Sequence, residues 1–189
     1  MTRSIHVLAF VSLFTTLTLA PQIASAQVKL FTISGSGIAA SIPLEVGTTG
    51  THTSVGVATH LGAHTGQGEL KLGEFTSPLG ANPASAKFSS NVPYVFTAAN
   101  GDKLACTYGL DGTTVTGEVK LFFIDSVTAY GVFVAEFKPV PALCTGRFVK
   151  VKGGSFLMTA VTDSFDVTNP LNVPYTWTGE GTLEFAKKK

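Results

Sequence analysis

The stretch PYVFTAANGDKLACTYGLDGTTVTGEVKLFF, residues 93–123, is the most informative part of this chain about its fold class. Short runs of β-branched and aromatic residues are separated in it by Asn100-Gly101-Asp102 and by Asp111-Gly112. Asn-Gly and Asp-Gly pairs between such runs are strong signals for tight hairpin turns. The stretch therefore predicts three successive antiparallel strands, at 93–99, 102–110 and 114–125.

The rest of the chain after residue 26 has the same punctuated pattern and no sustained helical periodicity. It predicts loops at 78–90 and 169–174, and further strands at 28–34, 38–45, 53–61, 66–74, 130–138, 154–163 and 176–185. Glycines inside these strands suit a sheet that bends sharply as it closes on itself. We therefore expect residues 27–189 to form one all-β domain, a single antiparallel β-barrel.

Residues 1–26 have the three zones of a cleavable signal peptide. Arg3 supplies a basic start, and an apolar run follows over Val7–Ala20. This run is shorter than the roughly 20 helical residues needed to cross a bilayer. The third zone, residues 21–26, ends in Ala24-Ser25-Ala26, the small-residue pattern that signal peptidase requires. We expect cleavage after Ala26 and a secreted or periplasmic protein with no membrane span.

Net charge argues against partners recruited by charge. Loss of Arg3 with the leader leaves 12 basic and 12 acidic residues, so no field attracts nucleic acid. Two segments, 119–124 and 131–137, are apolar at odd and even positions alike. Strands of this kind need cover on both faces, which is a hint of a homo-oligomer.

The chain has no established catalytic, metal or phosphate-binding motif. The mature histidines are His52, His60 and His64. The last two are four residues apart, about 13 Å along a strand, which is too far for one ion. If the chain folded back on itself, His60 and His64 could bind one metal ion together. A hydrogen-bonded structural role for His60 is the simpler interpretation. We assign no catalytic residue, metal ligand or cofactor.

Cys106 and Cys144 are the two cysteines of the chain. An even number of cysteines in an exported protein favours a disulfide. Two buried free thiols are the alternative.

Five segments, taken in order, carry a family resemblance: ATHLGAHTGQGEL (58–70), FTAANGDKL (96–104), CTGRF (144–148), KGGSF (152–156) and TGEGTLEF (178–185). Through them the chain resembles the bacterial secreted relatives of plant allene oxide cyclases and dirigent proteins. The resemblance implies an antiparallel barrel of about eight strands and, in the plant members, an interior that holds an apolar ligand. The catalytic residues of the plant enzymes do not map onto this chain, so no catalytic role is carried over.

Three functions are compatible with these observations. The first is a secreted barrel that binds a small apolar molecule, since a Phe-rich interior suits such a guest. The alternatives are an enzyme of the cyclase or isomerase type and a structural or interaction protein whose barrel is filled with side chains. The residues that we expect to face a ligand are His60, Glu69 and Tyr108.

Overall fold

The computed structural model describes residues 26–187, so the predicted signal peptide, apart from Ala26, lies outside the described residues. The prediction of an all-β chain is confirmed. In chain order the strands are β1 (Gln27–Ser41), β2 (Thr49–Ala58), β3 (Gly62–Ser77), β4 (Ala84–Ala98), β5 (Lys103–Tyr108), β6 (Leu110–Asp111), β7 (Thr114–Val115), β8 (Gly117–Phe123), β9 (Thr128–Pro139), β10 (Val151–Thr162), β11 (Phe165–Asp166) and β12 (Leu171–Phe185). Two 3-10 turns, Pro141–Leu143 and Gly146–Phe148, connect β9 to β10. Within the described residues, no helix has the length and apolar composition needed to cross a bilayer.

Eight long strands pair in a closed ring, in the order β1-β2-β3-β4-β5-β9-β10-β12 and back to β1. All of these pairings are antiparallel. Two strands fill the gap between β4 and β9. β8 pairs with the N-terminal half of each of these strands, and β5 pairs with the C-terminal half. Each ring strand therefore has a hydrogen-bonded neighbour on both sides.

β1 is one unbroken strand, whereas the sequence predicted a break between 28–34 and 38–45. Its register with β12 runs without a shift from Gln27 opposite Phe185 to Ser41 opposite Leu171. The apparent break is the Gly35-Ser36-Gly37 segment. A Cβ atom on Gly37 would collide with the ring of Tyr175 and with the carbonyl of Thr53. Glycine here makes room for an aromatic ring inside the strand layer and does not mark a turn.

The predicted loop 78–90 is wrong in its second half, because β4 begins at Ala84. Ala84, Ala86 and Phe88 alternate into the core, all at most 3% exposed. Small residues and serines gave this segment the composition of a loop. Their burial against β3 and β8 produces a strand despite weak β-propensity.

Both predicted turns are confirmed. The Gly101 N–H donates to the Ala98 carbonyl at 2.9 Å, and Gly101 has a φ of +86°. Gly112 has a φ of +58° in the hairpin that joins β6 to β7. A positive φ at these positions explains why each turn carries glycine.

The predicted disulfide is wrong: Cys106 and Cys144 are both free and buried. The Cys144 thiol lies 3.4 Å from the Val140 carbonyl and 3.7 Å from the Ala105 carbonyl. The thiol is thus directed at backbone oxygens, and both cysteine side chains pack in the core.

Large aromatic side chains fill the end of the ring at which β1 starts and β12 ends. Phe31 and Phe156 have ring centroids 4.8 Å apart, and Phe156 stacks on Phe137 at 5.4 Å. Phe96 and Phe148 are also fully buried in the same core. Aromatic rings thus fill this end of the ring.

Candidate functional site

A cavity of about 90 Å³ lies inside the ring, in the half opposite the packed aromatic end. Its floor includes the rings of Tyr94, Phe137 and Trp177. Its accessible wall is almost entirely apolar. Cavities with apolar walls are the usual form of small-molecule sites.

Small side chains keep this space open. Ala39 on β1 and Gly50 on β2 line one wall, and Ala135 on β9 and Ala160 on β10 line another. The next inward position of β9 beyond Ala135 is Phe137, which helps to fill the packed end. Phe133, on the other side of Ala135 along β9, also lines the cavity, so the space lies beside small residues that are flanked by larger ones.

The connection between β1 and β2, residues 42–48, crosses the cavity end of the ring. Ile42 and Pro43 line the cavity directly. The Ile42 N–H donates to the Pro170 carbonyl at 2.9 Å, and Gly47 N–H donates to the Leu72 carbonyl at 2.8 Å. We call this connection the strap. Its hydrogen bonds attach it to both sides of the cavity end of the ring.

His52, on β2, is the centre of the polar groups in the cavity wall. Its Nε2 lies 2.9 Å from the Tyr108 hydroxyl, and its Nδ1 lies 3.3 Å from the Tyr175 hydroxyl. The ring of Tyr94 is 5.0 Å from the imidazole, and its hydroxyl bonds to Ser54 at 2.6 Å. Three of the four tyrosines of the chain thus surround one histidine.

The protons of this cluster can be counted. The Tyr108 hydroxyl donates to the Glu69 carbonyl at 2.8 Å, so it accepts from the Nε2–H of His52. Nδ1 of a neutral imidazole is then an acceptor. The Tyr175 hydroxyl has one proton to give, either to Nδ1 or to the Thr53 carbonyl at 3.0 Å. His52 therefore donates to Tyr108, and its Nδ1 accepts from Tyr175 when that hydroxyl does not donate to Thr53.

The site is electrically neutral. Burial lowers the pKa of His52 to about 4, and burial raises the pKa of Tyr94, Tyr108 and Tyr175. All four side chains are therefore uncharged at neutral pH. Of the described residues that line the cavity, none is Lys, Arg, Asp or Glu. A charged guest would have no counter-charge here.

Tyr108 is the predicted ligand-facing residue that lines the cavity. Glu69 contributes its backbone carbonyl to Tyr108, while its carboxylate accepts from Asn91 at 2.9 Å on the outer side of β3. His60 lies in the turn between β2 and β3, exposed, with a φ of +65°. The structure thus brings Tyr108 and the Glu69 backbone together and leaves His60 at the other end of the ring.

His60 belongs to a structural cluster at the packed end. Its carbonyl accepts from Arg147 Nη1 at 3.1 Å, and Arg147 Nε donates to Asp102 at 2.7 Å. Turns from three of the segments that carry the family resemblance meet in this cluster. The hydrogen bond from Arg147 lowers the pKa of the Asp102 carboxyl. The prediction that His60 plays a structural role fits this position.

The His64 side chain points into the interior of the ring of strands, away from the exposed imidazole of His60. It is 5% exposed and packs against Phe96 and Trp177, with its Nδ1 3.2 Å from the Gly62 carbonyl. Burial lowers the pKa of His64. Among residues 26–187, no group of three or more His, Cys, Asp or Glu side chains is arranged to hold a metal ion.

Sequence reasoning missed His52, Tyr94 and Tyr175 as parts of the site. The available signal was strand phase: His52 alternates with Gly50 and Ser54, which places it on the inner face of β2. Recognising that required the true start of β2 at Thr49, four residues before the predicted one.

No family model, curated protein or solved structure matches the chain.

Proposed function

We propose that this protein is a β-barrel that binds a small, neutral, apolar molecule in its interior. The observation that carries the proposal is the cavity next to His52, with an apolar wall, several small side chains and no charged group in its lining. A barrel filled only for stability would have large side chains at Ala39, Ala135 and Ala160, because closely packed interiors are the norm. Small residues on three different strands leave a space that suits a compact guest.

The polar cluster supports binding more than catalysis. A general base needs a pKa near the working pH, and burial moves the pKa of His52 well below it. The phenols are correspondingly weak acids. His52, Tyr108 and Tyr175 act as hydrogen-bonding groups that hold one another in place and give the apolar cavity a defined shape.

Export and family membership are parts of the same proposal. The leader-like residues 1–26 support secretion, and the five motif segments support a relationship to the allene-oxide-cyclase-like barrels. The ring of eight antiparallel strands agrees with the strand number that the resemblance implies.

Thermal unfolding with benzene and with benzoate tests the proposal, since a guest that binds the native state alone raises Tm. Benzene is compact enough for an apolar cavity of this kind, and benzoate adds one charge to the same ring. We expect benzene to raise Tm and benzoate to leave it unchanged. Failure of benzene to shift Tm would reject an apolar site.

Adjacent alanines on β1 provide a matched pair of variants. Ala39 lines the cavity, and Ala40 is exposed on the outer face. Ala39→Leu adds three carbons to the cavity, so we expect it to abolish the Tm shift with benzene. Ala40→Leu adds the same carbons outside and should keep the shift. An equal shift in both variants would show that benzene binds elsewhere.

A further inference from the structure

A second, smaller void lies beside the cavity inside the ring. Its volume is about 10 Å³, roughly the space that one water-sized sphere needs. Its walls come mainly from β3, β4 and β8 and include Leu72, Ala84, Ala86 and Val119. Small alanine side chains border this void, as they border the cavity.

Phe133 on β9 lies between the two spaces. In the sheet it pairs with Ala160 of β10 on one side and with Val119 of β8 on the other. Ala160 lines the cavity, Val119 lines the second void, and Phe133 lines both. The Phe133 side chain therefore separates the cavity from the second void, and we call it the partition.

The strap bounds both spaces as well. Ile42 and Pro43, at its start, line the cavity and the second void alike. Because the strap crosses the end of the ring, it would also bound a single space formed by joining the two. The side chain that divides them from within the sheet is that of Phe133.

Two neighbours hold the Phe133 ring in this position. Gly131 lies two residues earlier on the same face of β9, and a Cβ atom there would be 2.7 Å from the Phe133 ring. The Phe88 ring meets the Phe133 ring edge to face, with the centroids 5.6 Å apart. Aromatic contacts of this geometry are favourable, so the ring is stabilised between the two spaces.

We propose that Phe133 limits the length of the guest, so that the cavity accepts a neutral six-membered ring with no more than a short alkyl substituent. This inference rests on the proposed function, because it names the size class of the same guest. A longer chain cannot enter space that the phenyl ring already fills, since interiors are closely packed. A small residue at position 133 would join the cavity and the second void into one elongated apolar space.

Thermal unfolding with benzene and with n-butylbenzene tests this inference. Phe133→Ala removes the partition, and Phe133→Leu reduces it in a variant that keeps more of the core packing. Phe122→Ala is the matched control, because it removes the same ring from the outer face of neighbouring β8, where Phe122 stacks on Tyr130. Each Tm shift is measured against the same variant without ligand, and circular dichroism establishes which variants keep the fold.

We expect benzene to raise Tm in the wild type and in every folded variant. We expect n-butylbenzene to raise Tm by at least about 2 °C in the folded Phe133 variants and to leave the wild type and Phe122→Ala unchanged.

Two outcomes would overturn the inference while a benzene shift in the wild type keeps the proposed function. The first is a wild type that responds to n-butylbenzene as strongly as the Phe133 variants do. The second is a set of folded Phe133 variants that do not respond to n-butylbenzene. Absence of a benzene shift in the wild type would reject the proposed function and this inference together.

Discussion

His52 determines the orientation of the interior hydroxyl groups. Its two ring nitrogens lie within hydrogen-bonding distance of Tyr108 and Tyr175, and both phenols also reach backbone carbonyls of the ring. Removing the Tyr108 hydroxyl would leave the Nε2–H of His52 without its partner, which costs about 1–3 kcal/mol. The cluster thus makes the cavity wall rigid at the point where apolar packing is thinnest.

Stability should fall in acid because of His52. The folded state protonates this side chain at about pH 4, and the unfolded chain does so near 6.5. Between these values the unfolded state binds more protons than the folded state. The contribution of His52 to the free energy of unfolding is therefore fully present above pH 6.5 and is lost as the pH falls toward 4. The expected loss is roughly 3 kcal/mol. Urea unfolding at pH 7.5, 5.5 and 4.5 measures it.

Two histidine variants show whether His52 causes the acid loss. His52→Gln should flatten the pH dependence, leaving the smaller part that comes from His64, whose pKa is also lowered. His60→Asn changes an exposed ring and tolerates the positive φ at this position, so it should preserve the wild-type profile. A His52→Gln profile as steep as that of the wild type would disprove the assignment.

At the residue scale the sequence indicated part of the site. Tyr108 was predictable because the Asn-Gly turn fixes where the strand begins. The alternation of side chains along the strand then decides that Tyr108 faces inward. Glu69 was predicted to face a ligand, but it sits opposite in phase to Leu70 and contributes only its carbonyl. A bulge in the pairing of β3 with β4 complicates the phase at this point, and such bulges leave little trace in sequence.

At the scale of elements, the long strands depend on glycines placed opposite aromatic rings. Gly37 on β1 lies against Tyr175, and Gly66 and Gly68 on β3 lie against Tyr94. Each glycine lets a large ring lie flat over the inner surface of a neighbouring strand. The positions of these aromatic rings therefore depend on the glycines of the neighbouring strands.

Gly37→Ala should destabilise the protein by about 1–3 kcal/mol, because the added methyl group overlaps the Tyr175 ring and the Thr53 carbonyl. Urea unfolding measures the loss. The neighbouring exposed position provides the control, since Ser36→Ala removes a side-chain atom on the outer face and should change stability by less than about 0.5 kcal/mol. Equal effects of the two changes would show that the clash is relieved by a backbone shift.

The turn residues made the hairpins predictable, and the strand interiors were harder. Asn100-Gly101 and Asp111-Gly112 mark turns by local chemistry alone. Gly35-Ser36-Gly37 has the same composition as a turn but forms strand, because Trp177 and Tyr175 from distant β12 occupy the space beside it. Local sequence does not contain that information, since the partners are some 140 residues away.

At the scale of the whole molecule, closure of the ring depends on the first and last strands. β1 pairs with β12 along almost its full length and with β2 along half of it. The strand pattern alone predicted ten strands, and the number of about eight, which the ring has, came from the family resemblance. The cavity was not predictable, since it arises where small residues from β1, β2, β9 and β10 meet.

Deleting residues 171–189 should prevent formation of the native ring. The deletion exposes one whole edge of β1 and one of β10, together with the core around Phe31 and Phe156. We expect rapid proteolysis and strong binding of a hydrophobic dye. Deleting only residues 187–189, which follow the last strand, should leave both properties as in the full chain. A protease-resistant product of the longer deletion would contradict the dependence on β12.

The pairing of β1 with β12 also has a bearing on the time course of biosynthesis. About 130 residues separate the end of β1 from the start of β12. At a synthesis rate of about 5–20 residues per second, the ribosome needs on the order of 10 s to make that distance. Throughout this interval one edge of the first strand has no partner, so the nascent chain cannot lock into its final shape. We therefore expect the ring to close only when translation is nearly complete, so that the nascent chain stays pliable until then.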